Sequence, residues 1–196
     1  MNLDTIIRAV QGKLGKTPDG KAGPETWAAI YDKIVGKVPP DEHAPSIEWP
    51  VDDRSQKVIE TLHREVKPYA RALVLKARER GIVIKLLSGL RTYAEQDALF
   101  AKGGVTKARG GYSNHNFGIA FDIGVFQGAK YLEESPLYKV IGAIGVDLGL
   151  EWGGNWKSFV DEPHYQLRPN WASGMSERDM LAELRRRKDN GRDCFA

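Results

Sequence analysis

The stretch Ser113-Asn114-His115-Asn116-Phe117-Gly118-Ile119-Ala120-Phe121-Asp122 leads from a loop rich in Gly, Lys, Arg and Asn into a predicted strand over residues 119–126. Alternation along that strand puts apolar side chains on one face and leaves Asp122 on the other, toward a cleft. His115 and Asp122 are seven residues apart, so a straight strand would point them to opposite faces. Gly118 offers the break in geometry that turns both toward one point.

A second segment, Asp161-Glu162-Pro163-His164, supplies another imidazole and a carboxylate three residues before it. Pro163 excludes a helix interior and pushes Glu162 toward extended geometry, so we predict a turn that enters a strand. His164 then faces the cleft, and Asp161 lies just before the turn. Together the two segments provide the parts of an open catalytic zinc site with its own base. The same donor types also accept other divalent ions.

Three further side chains are candidates for the cleft. Arg91 follows a predicted strand over residues 82–87. Its functional role would be to stabilise a developing oxyanion or to hold a substrate carboxylate. The structural alternative is an ion pair at the strand end. Trp152 and Trp156 either line a substrate subsite or fill core space. Because Gly153-Gly154 separates them, we predict that one is buried and that the other lies at the cleft wall.

The bulk properties fit a globular protein with a proper core. The chain has 196 residues, of which 41% are hydrophobic and 28% charged, and its net charge is +3. No apolar run approaches the roughly 20 residues that span a bilayer, and residues 1–4 do not begin a secretory signal. The mild positive charge would suit an anionic cell-wall polymer or nucleic acid and selects neither. The single cysteine, Cys194, excludes an internal disulfide and a multi-thiolate zinc site, and we predict that it is solvated.

The chain divides into three predicted regions. Residues 1–36 form a helical hairpin, residues 37–55 a proline-rich linker, and residues 56–196 the main domain. In the hairpin, Asp4 caps the first helix and Pro24 opens the second. The apolar face of that second helix carries Trp27, Ile30, Tyr31 and Ile34.

The main domain mixes helices and strands without a strict βαβ alternation, which predicts an α+β fold. Pro68 should kink or divide a helix over residues 56–80, and Thr92 with Glu95 should form a capping box. We expect residues 103–117 to be a mobile loop beside the site. A helix starting at Ser135-Pro136 should direct Val140, Ile141, Ile144 and Leu148 inward. A strand over residues 164–167 and a helix capped by Ser176 complete the pattern.

Arg185-Arg186-Arg187-Lys188 forms a basic cluster at the end of that last helix. Positive charge there complements the helix dipole, which predicts a solvated helix end. The alternative is a contact with anionic wall or outer-membrane components.

The first 36 residues resemble the peptidoglycan-binding domain type 1 family. The matching residues are Val10-Gln11, Leu14-Gly15, Asp19-Gly20, Gly23-Pro24, Thr26 and Ala29-Ile30. The resemblance implies a truncated wall-binding module. A purely structural hairpin is the alternative.

Residues 56–170 resemble the zinc peptidases of peptidoglycan. Those include D-alanyl-D-alanine carboxypeptidases, D-Ala-D-Ala dipeptidases and L-alanyl-D-glutamate endopeptidases. The matching segments are Ser88-Gly89-Leu90-Arg91, Ser113 to Asp122, and Glu151 to Trp156 followed by Asp161 to Tyr165, which is similar to the branch that contains phage endolysins. Leu90 replaces the usual aromatic residue, and Asp161 stands where several relatives have Glu.

This resemblance implies a Hedgehog/DD-peptidase-like fold, in which a small antiparallel sheet packs with helices. It also implies Zn²⁺ on His115, Asp122 and His164, with Asp161 as general base and Arg91 as electrostatic helper. The expected substrate-binding residues are Ser113, Trp152 and Trp156.

We therefore expect a zinc metallopeptidase that cleaves the L-Ala–D-Glu bond of the stem peptide and acts as an endolysin. It would be a monomer made in the host cytoplasm, and it would act on the cell wall after release. A D-Ala-D-Ala carboxypeptidase or dipeptidase is the nearest alternative, and a zinc-binding module without catalysis is another. A metal nuclease is a distant alternative that leaves the spacing of the motifs unexplained, so we expect no nucleic-acid partner.

Overall fold

A computed structural model of the protein describes residues 2–20, 26, 29–30, 33, 51–104 and 106–196. The chain divides into two compact units, Met1–Glu48 and Trp49–Ala196. Within the described ranges, no helix is both long and apolar enough to cross a membrane.

The first unit contains helix α1, Leu3–Lys13. Its N-cap is Asn2, whose side-chain oxygen accepts a hydrogen bond from the backbone N–H of Thr5 at 2.8 Å. The prediction that Asp4 caps this helix is therefore wrong by two residues. Asp4 lies in the first turn and pairs with Arg8 at 2.9 Å instead.

Only part of the predicted second helix of the hairpin is described. Thr26, Ala29, Ile30 and Lys33 are helical. Pro24, Trp27, Tyr31 and Ile34, together with residues 37–50 of the predicted linker, lie outside the described residues.

The second unit begins with two helices, α2 (Asp53–Thr61) and α3 (Lys67–Glu79). Pro68 lies in the first turn of α3, where its missing N–H costs no helical hydrogen bond. The prediction that Pro68 divides a longer helix is confirmed, and the break comes just before it. Both helices contact the first strand.

Five short strands form one antiparallel sheet: β1 (Val83–Ser88), β2 (Ala120–Gln127), β3 (Lys130–Leu132), β4 (Glu151–Trp152) and β5 (His164–Gln166). The main order is β1-β2-β5-β4, and β3 pairs with the end of β2. The central position of β2 explains its near-continuous burial. Its core face carries Phe121, Ile123 and Val125, all fully buried, as the alternation predicted.

Three more helices complete the second unit: α4 (Tyr93–Lys102), α5 (Leu137–Asp147) and α6 (Glu177–Asp189). The predicted capping box at the start of α4 is present, and Ser176 caps α6. In α5, Ile141 and Ile144 are buried as predicted, whereas Val140 is 36% exposed and does not point inward. The predicted α+β class, with a small antiparallel sheet packed against helices, is confirmed.

The basic cluster on α6 is not a free helix end. The Arg185 guanidinium donates to the carbonyl oxygen of Gly111 at 2.9 Å, and the Lys188 ammonium donates to that of Asn116 at 3.1 Å. Arg187 stacks over the ring of Trp171. Two of the four cations therefore hold the segment before β2, so the prediction of a solvated helix end describes only part of the cluster.

The same segment differs from the predicted mobile loop. Residues Asn114–Phe117 form a buried 3-10 turn. The thiol of Cys194 lies 3.8 Å from the carbonyl oxygen of Phe117, and burial raises the pKa of this thiol. Cys194 is thus half-buried against the core, and the prediction of a solvated cysteine is wrong.

Candidate metal centre and active site

Strand register brings the first two functional side chains together. Asp122 lies directly opposite His164 where β2 pairs with β5. On the other edge of β2, a register shift between Leu86 and Ser88 places Ser88 opposite Asp122. Asp122 is therefore flanked across the sheet by a histidine on one side and a serine on the other.

His115 reaches the same point from the 3-10 turn Asn114–Phe117. Gly118 ends this turn in the left-handed conformation, with φ of +66°. A Cβ at Gly118 would lie 3.0 Å from the backbone nitrogen of His63, which donates to the Gly118 carbonyl oxygen at 2.9 Å. Left-handed geometry and close backbone approach both require glycine. The prediction that Gly118 redirects the chain is confirmed.

His115, Asp122 and His164 form one compact cluster. His115 Nε2 lies 3.3 Å from Asp122 Oδ1, and His164 Nδ1 lies 3.2 Å from the same oxygen. One donor atom from each residue fits within 4.8 Å of the others. Both imidazoles are more than nine-tenths buried.

The outer hydrogen bonds of the two histidines show that this cluster fits a metal ion. His115 Nδ1 lies 2.8 Å from the Gly89 carbonyl oxygen, so Nδ1 carries the proton and Nε2 keeps its lone pair. His164 Nε2 lies 3.0 Å from the side-chain oxygen of Gln166, and a proton on Nε2 that is donated to this oxygen leaves the Nδ1 lone pair for a metal ion. Two nitrogen lone pairs and a carboxylate oxygen therefore converge. Such a set of acceptors needs a cation between them, and zinc takes these ligand types.

The same two rings set the charge of Asp122 when they are protonated and donate to it. Burial alone would raise the pKa of the Asp122 carboxyl, but His115 and His164 bring this pKa well below its usual range. The carboxylate is thus held in its ionised form, which is the form that binds metal.

Arg91 is engaged by the carboxylate of Asp122. Its Nη2 lies 2.7 Å from Asp122 Oδ2 and 2.6 Å from Ser88 Oγ, and its Nε also donates to Ser88. Its Nη1 lies 3.4 Å from the Gln96 side-chain oxygen. The structure thus shows the ion pair, one of the two predicted alternatives, while the role of Arg91 toward an oxyanion or a substrate carboxylate stays a prediction.

Asp161 lies beside the cluster. Its backbone carbonyl accepts the His164 N–H at 3.1 Å, as expected for the predicted turn through Pro163. Its carboxylate has neither a hydrogen bond nor an ion pair to any residue in the described ranges. Burial and the charge of Asp122 raise the pKa of Asp161. Gly153 permits this close packing, because a Cβ there would lie 2.5 Å from the Asp161 carbonyl oxygen.

The cluster opens into a cavity of about 540 Å³. Its walls come from β1 and the segment after it, the segment 106–115, β2, the segment 156–164 and helix α6. The lining residues are Leu87, Arg91, Thr106, Lys107, Ala108, Tyr112, Ser113, Asn114, His115, Asp122, Trp156, Phe159, Asp161, Pro163, His164 and Leu181.

Comparison with known proteins places the chain in a family. Residues 106–167 match the family model described as D-alanyl-D-alanine carboxypeptidase. The chain is 37% identical over 127 residues to the peptidoglycan L-alanyl-D-glutamate endopeptidase CwlK of Bacillus subtilis, covering 56% of this chain and 75% of that protein. It belongs to this peptidase family. Peptidases of the family are zinc-dependent metalloenzymes.

One further relative and two solved structures are similar to parts of this chain. It is 32% identical over 117 residues to the L-alanyl-D-glutamate peptidase of Listeria phage A118, covering 58% of this chain and 41% of that protein. The crystal structure of the Serratia marcescens L-Ala D-Glu endopeptidase ChiX matches with a TM-score of 0.48 and 27% identity, over 59% of this chain and 87% of that one. The vancomycin resistance D,D-pentapeptidase VanY matches with a TM-score of 0.46 and 19% identity, over 63% and 83%.

The two tryptophans of the peptidase lie in different surroundings. Trp156 lines the cavity, 4.9 Å from the His164 ring centroid. Trp152 is buried, and its indole N–H donates to the Glu162 carbonyl oxygen at 2.7 Å. A Cβ on Gly142 or Gly154 would come within 2.4 Å of the Trp152 ring. The prediction of one buried and one wall tryptophan is confirmed, and Trp152 as a substrate-binding residue is corrected because it is packed in the core.

Among the cavity residues of the peptidase that were not predicted from the sequence, one pair is in mutual contact. Lys107 and Phe159 lie at the cavity, with the Lys107 ammonium 5.0 Å from the centre of the Phe159 ring. Neither belongs to a motif, and 52 residues separate them, so no local pattern relates one to the other. Ser113, in contrast, lines the cavity, in keeping with its prediction from the motif.

Proposed function

We propose that the protein hydrolyses the L-Ala–D-Glu amide of peptidoglycan stem peptides. The observation that carries this proposal is the convergence of His115, Asp122 and His164 on one point at a cavity beside the unpaired carboxylate of Asp161. The named activity of the Bacillus relative, which is 37% identical, supports the choice of bond.

In this proposal His115, Asp122 and His164 would hold the zinc ion. Zinc, when bound, supplies Lewis-acid polarisation of the scissile carbonyl and lowers the pKa of a coordinated water toward about 7. Arg91 orients the carboxylate that carries Oδ1, since it occupies Oδ2 from the opposite side.

Asp161 performs the proton transfers. Its carboxylate accepts a proton from the attacking water and then delivers a proton to the leaving amine of D-Glu. A group with this task must be free of competing partners and must reach the reacting atoms. The absence of any described hydrogen bond to its carboxylate meets the first condition, and its position at the cavity wall supports the second.

The substrate is an anionic peptide, and the cavity offers one cation suited to it. Arg91 is committed to Asp122 and Ser88, whereas Lys107 has no acidic partner within the part of the chain that the structure describes. We propose that the Lys107 ammonium binds a carboxylate of the stem peptide. Trp156, Phe159 and Ser113 form the adjacent wall, where two aromatic faces exclude water from the peptide.

The cellular role belongs to the same proposal. An endolysin made in the host cytoplasm would act on the wall after release, with residues 1–36 as its wall-binding module. We expect the protein to act as a monomer without a nucleic-acid partner. Light scattering and a plasmid-nicking assay with divalent metal test those two expectations.

The decisive experiment is digestion of purified peptidoglycan with and without a chelator, followed by mass spectrometry. New D-Glu N-termini that disappear with the chelator would support the proposal. Release of free D-Ala alone would instead assign the D-alanyl-D-alanine carboxypeptidase activity, which is the description of the matching family.

A further inference from the structure

A chain of buried polar side chains lies behind His164. Gln166 is two residues further along β5, so its side chain emerges on the same face, and it is fully buried. Its side-chain oxygen lies 3.0 Å from His164 Nε2. Its side-chain nitrogen donates to a carboxylate oxygen of Glu151 on β4 at 2.6 Å.

Glu151 fixes which way the Gln166 amide points. An ionised carboxylate only accepts hydrogen bonds, so it must face the NH₂ group of the amide and not its oxygen. Arg168 also donates two hydrogen bonds to the Glu151 carboxylate, which therefore acts as an acceptor toward both neighbours. The Gln166 oxygen is thereby turned toward His164.

Asn114 reinforces this orientation from the other side. Its side-chain NH₂ donates to the Gln166 oxygen at 2.6 Å and also to the carboxylate of Glu177. The Asn114 oxygen is buried without a partner in the described structure, so its amide is oriented for these two acceptors. Because Asn114 precedes His115, the network joins the segments that carry both histidines.

The orientation of Gln166 decides the state of the His164 ring. In a neutral imidazole one nitrogen carries the proton. A proton on Nδ1 would give a hydrogen bond to Asp122 but would leave the Nε2 lone pair against the Gln166 oxygen. A proton on Nε2 satisfies Gln166 and directs the Nδ1 lone pair toward Asp122.

We propose that Glu151 and Gln166 are positioning residues that select the metal-binding tautomer of His164. Without them, the ring is free to close a direct hydrogen bond onto Asp122, and this competes with metal binding. The inference rests on the metal site of the proposed function, but it does not depend on which peptide bond is cut.

The test is the zinc dissociation constant of the full chain, measured by competition with a chromophoric chelator. Gln166→Met keeps the volume of the side chain and removes its hydrogen bonds, and Glu151→Gln allows the Gln166 amide to turn. Tyr138→Phe is the matched control, because it removes the hydroxyl that donates to the Leu132 carbonyl oxygen and accepts from the Val125 N–H, and this hydroxyl bonds none of the three ligands. We expect about 10- to 100-fold weaker zinc binding in both test variants and no change in the control.

A second readout reports the tautomer directly. Long-range ¹H–¹⁵N spectra of the metal-free chain, recorded at a pH high enough for a neutral His164 ring, should show the proton on Nε2 in the wild type and a mixture of tautomers in Glu151→Gln. Zinc binding by both variants within twofold of the wild type would overturn the proposal. Weakening in Gln166→Met alone would overturn the role of Glu151. A wild type that binds zinc but releases no D-Glu N-termini contradicts the proposed function alone.

Discussion

Arg91 Nη2 lies 2.7 Å from Asp122 Oδ2, the carboxylate oxygen that does not face the histidines. The two oxygens of Asp122 therefore have separate tasks: Oδ2 receives the guanidinium, and Oδ1 faces His115 and His164. Ser88 fixes the guanidinium in turn through its hydroxyl oxygen. The register shift between Leu86 and Ser88 places this serine opposite Asp122.

Replacing Arg91 should weaken metal binding. We expect Arg91→Ala to bind zinc about 10- to 100-fold more weakly, since a ligand carboxylate loses its outer partner. Arg91→Lys should be intermediate, because it keeps the charge and loses the forked geometry. Chelator competition measures both, with Arg71→Ala at an exposed ion pair as the control. Full zinc affinity together with lost activity in Arg91→Ala would favour contact with substrate instead.

Asp161→Asn separates proton transfer from metal binding. The amide cannot accept the proton of the attacking water, so kcat should fall by about 10²- to 10⁴-fold. Zinc affinity should stay at the wild-type value, because the three ligands are untouched. Hydrolysis of a soluble stem peptide and chelator competition give the two numbers, and Asp147→Asn on the exposed side of α5 is the control. Normal turnover by Asp161→Asn would remove this residue from the role of base.

The sequence predicted those parts of the site that depend on local geometry. Gly118 and Pro163 determine the backbone geometry of the two or three residues around them. The bend before β2 and the turn before β5 could therefore be predicted from residue type alone. The capping box of α4 was readable for the same reason. Alternation along β2 predicted which side chains face the core and placed Asp122 on the other face. This worked because one face of the strand packs on the core and the other faces the cavity.

Other features could not be predicted from the sequence because they depend on contacts between distant parts of the chain. Strand β4 has two residues, too few for any periodicity. The contact of Arg185 with Gly111 joins positions 74 residues apart, and only the packed structure brings a helix end to that loop. Val140 was assigned inward by helical spacing, but the neighbours of α5 leave it partly exposed.

Lys107 should govern substrate affinity. A charge-assisted hydrogen bond contributes about 1.5–3 kcal/mol, so Lys107→Ala should raise KM about tenfold or more while kcat changes little. The effect should shrink at high ionic strength, because this lysine is exposed. Kinetics on a soluble stem peptide at two salt concentrations measure it, with Lys102→Ala at the end of α4 as the control. A fall in kcat at unchanged KM would exclude this role.

The basic cluster of α6 should act on the site and not only on the wall. Arg185 and Lys188 hold the backbone of the segment that carries His115. Replacing both with Ala should therefore slow hydrolysis of a small soluble peptide as well as of isolated wall. Arg186→Ala, which loses only an exposed pair with Glu183, is the control. If the double variant loses activity on intact cells alone, wall contact is the better explanation.

The two tryptophans allow a matched comparison of core and cavity. Trp152→Ala removes a buried indole and leaves a void, so it should cost about 3–5 kcal/mol of the free energy of unfolding. For a domain of this size that lowers Tm by roughly 10 °C. Trp156→Ala removes a partly exposed wall of the cavity and should leave Tm nearly unchanged while lowering kcat/KM. Thermal unfolding and peptide hydrolysis on both variants check the assignment, and equal losses of Tm in the two would contradict it.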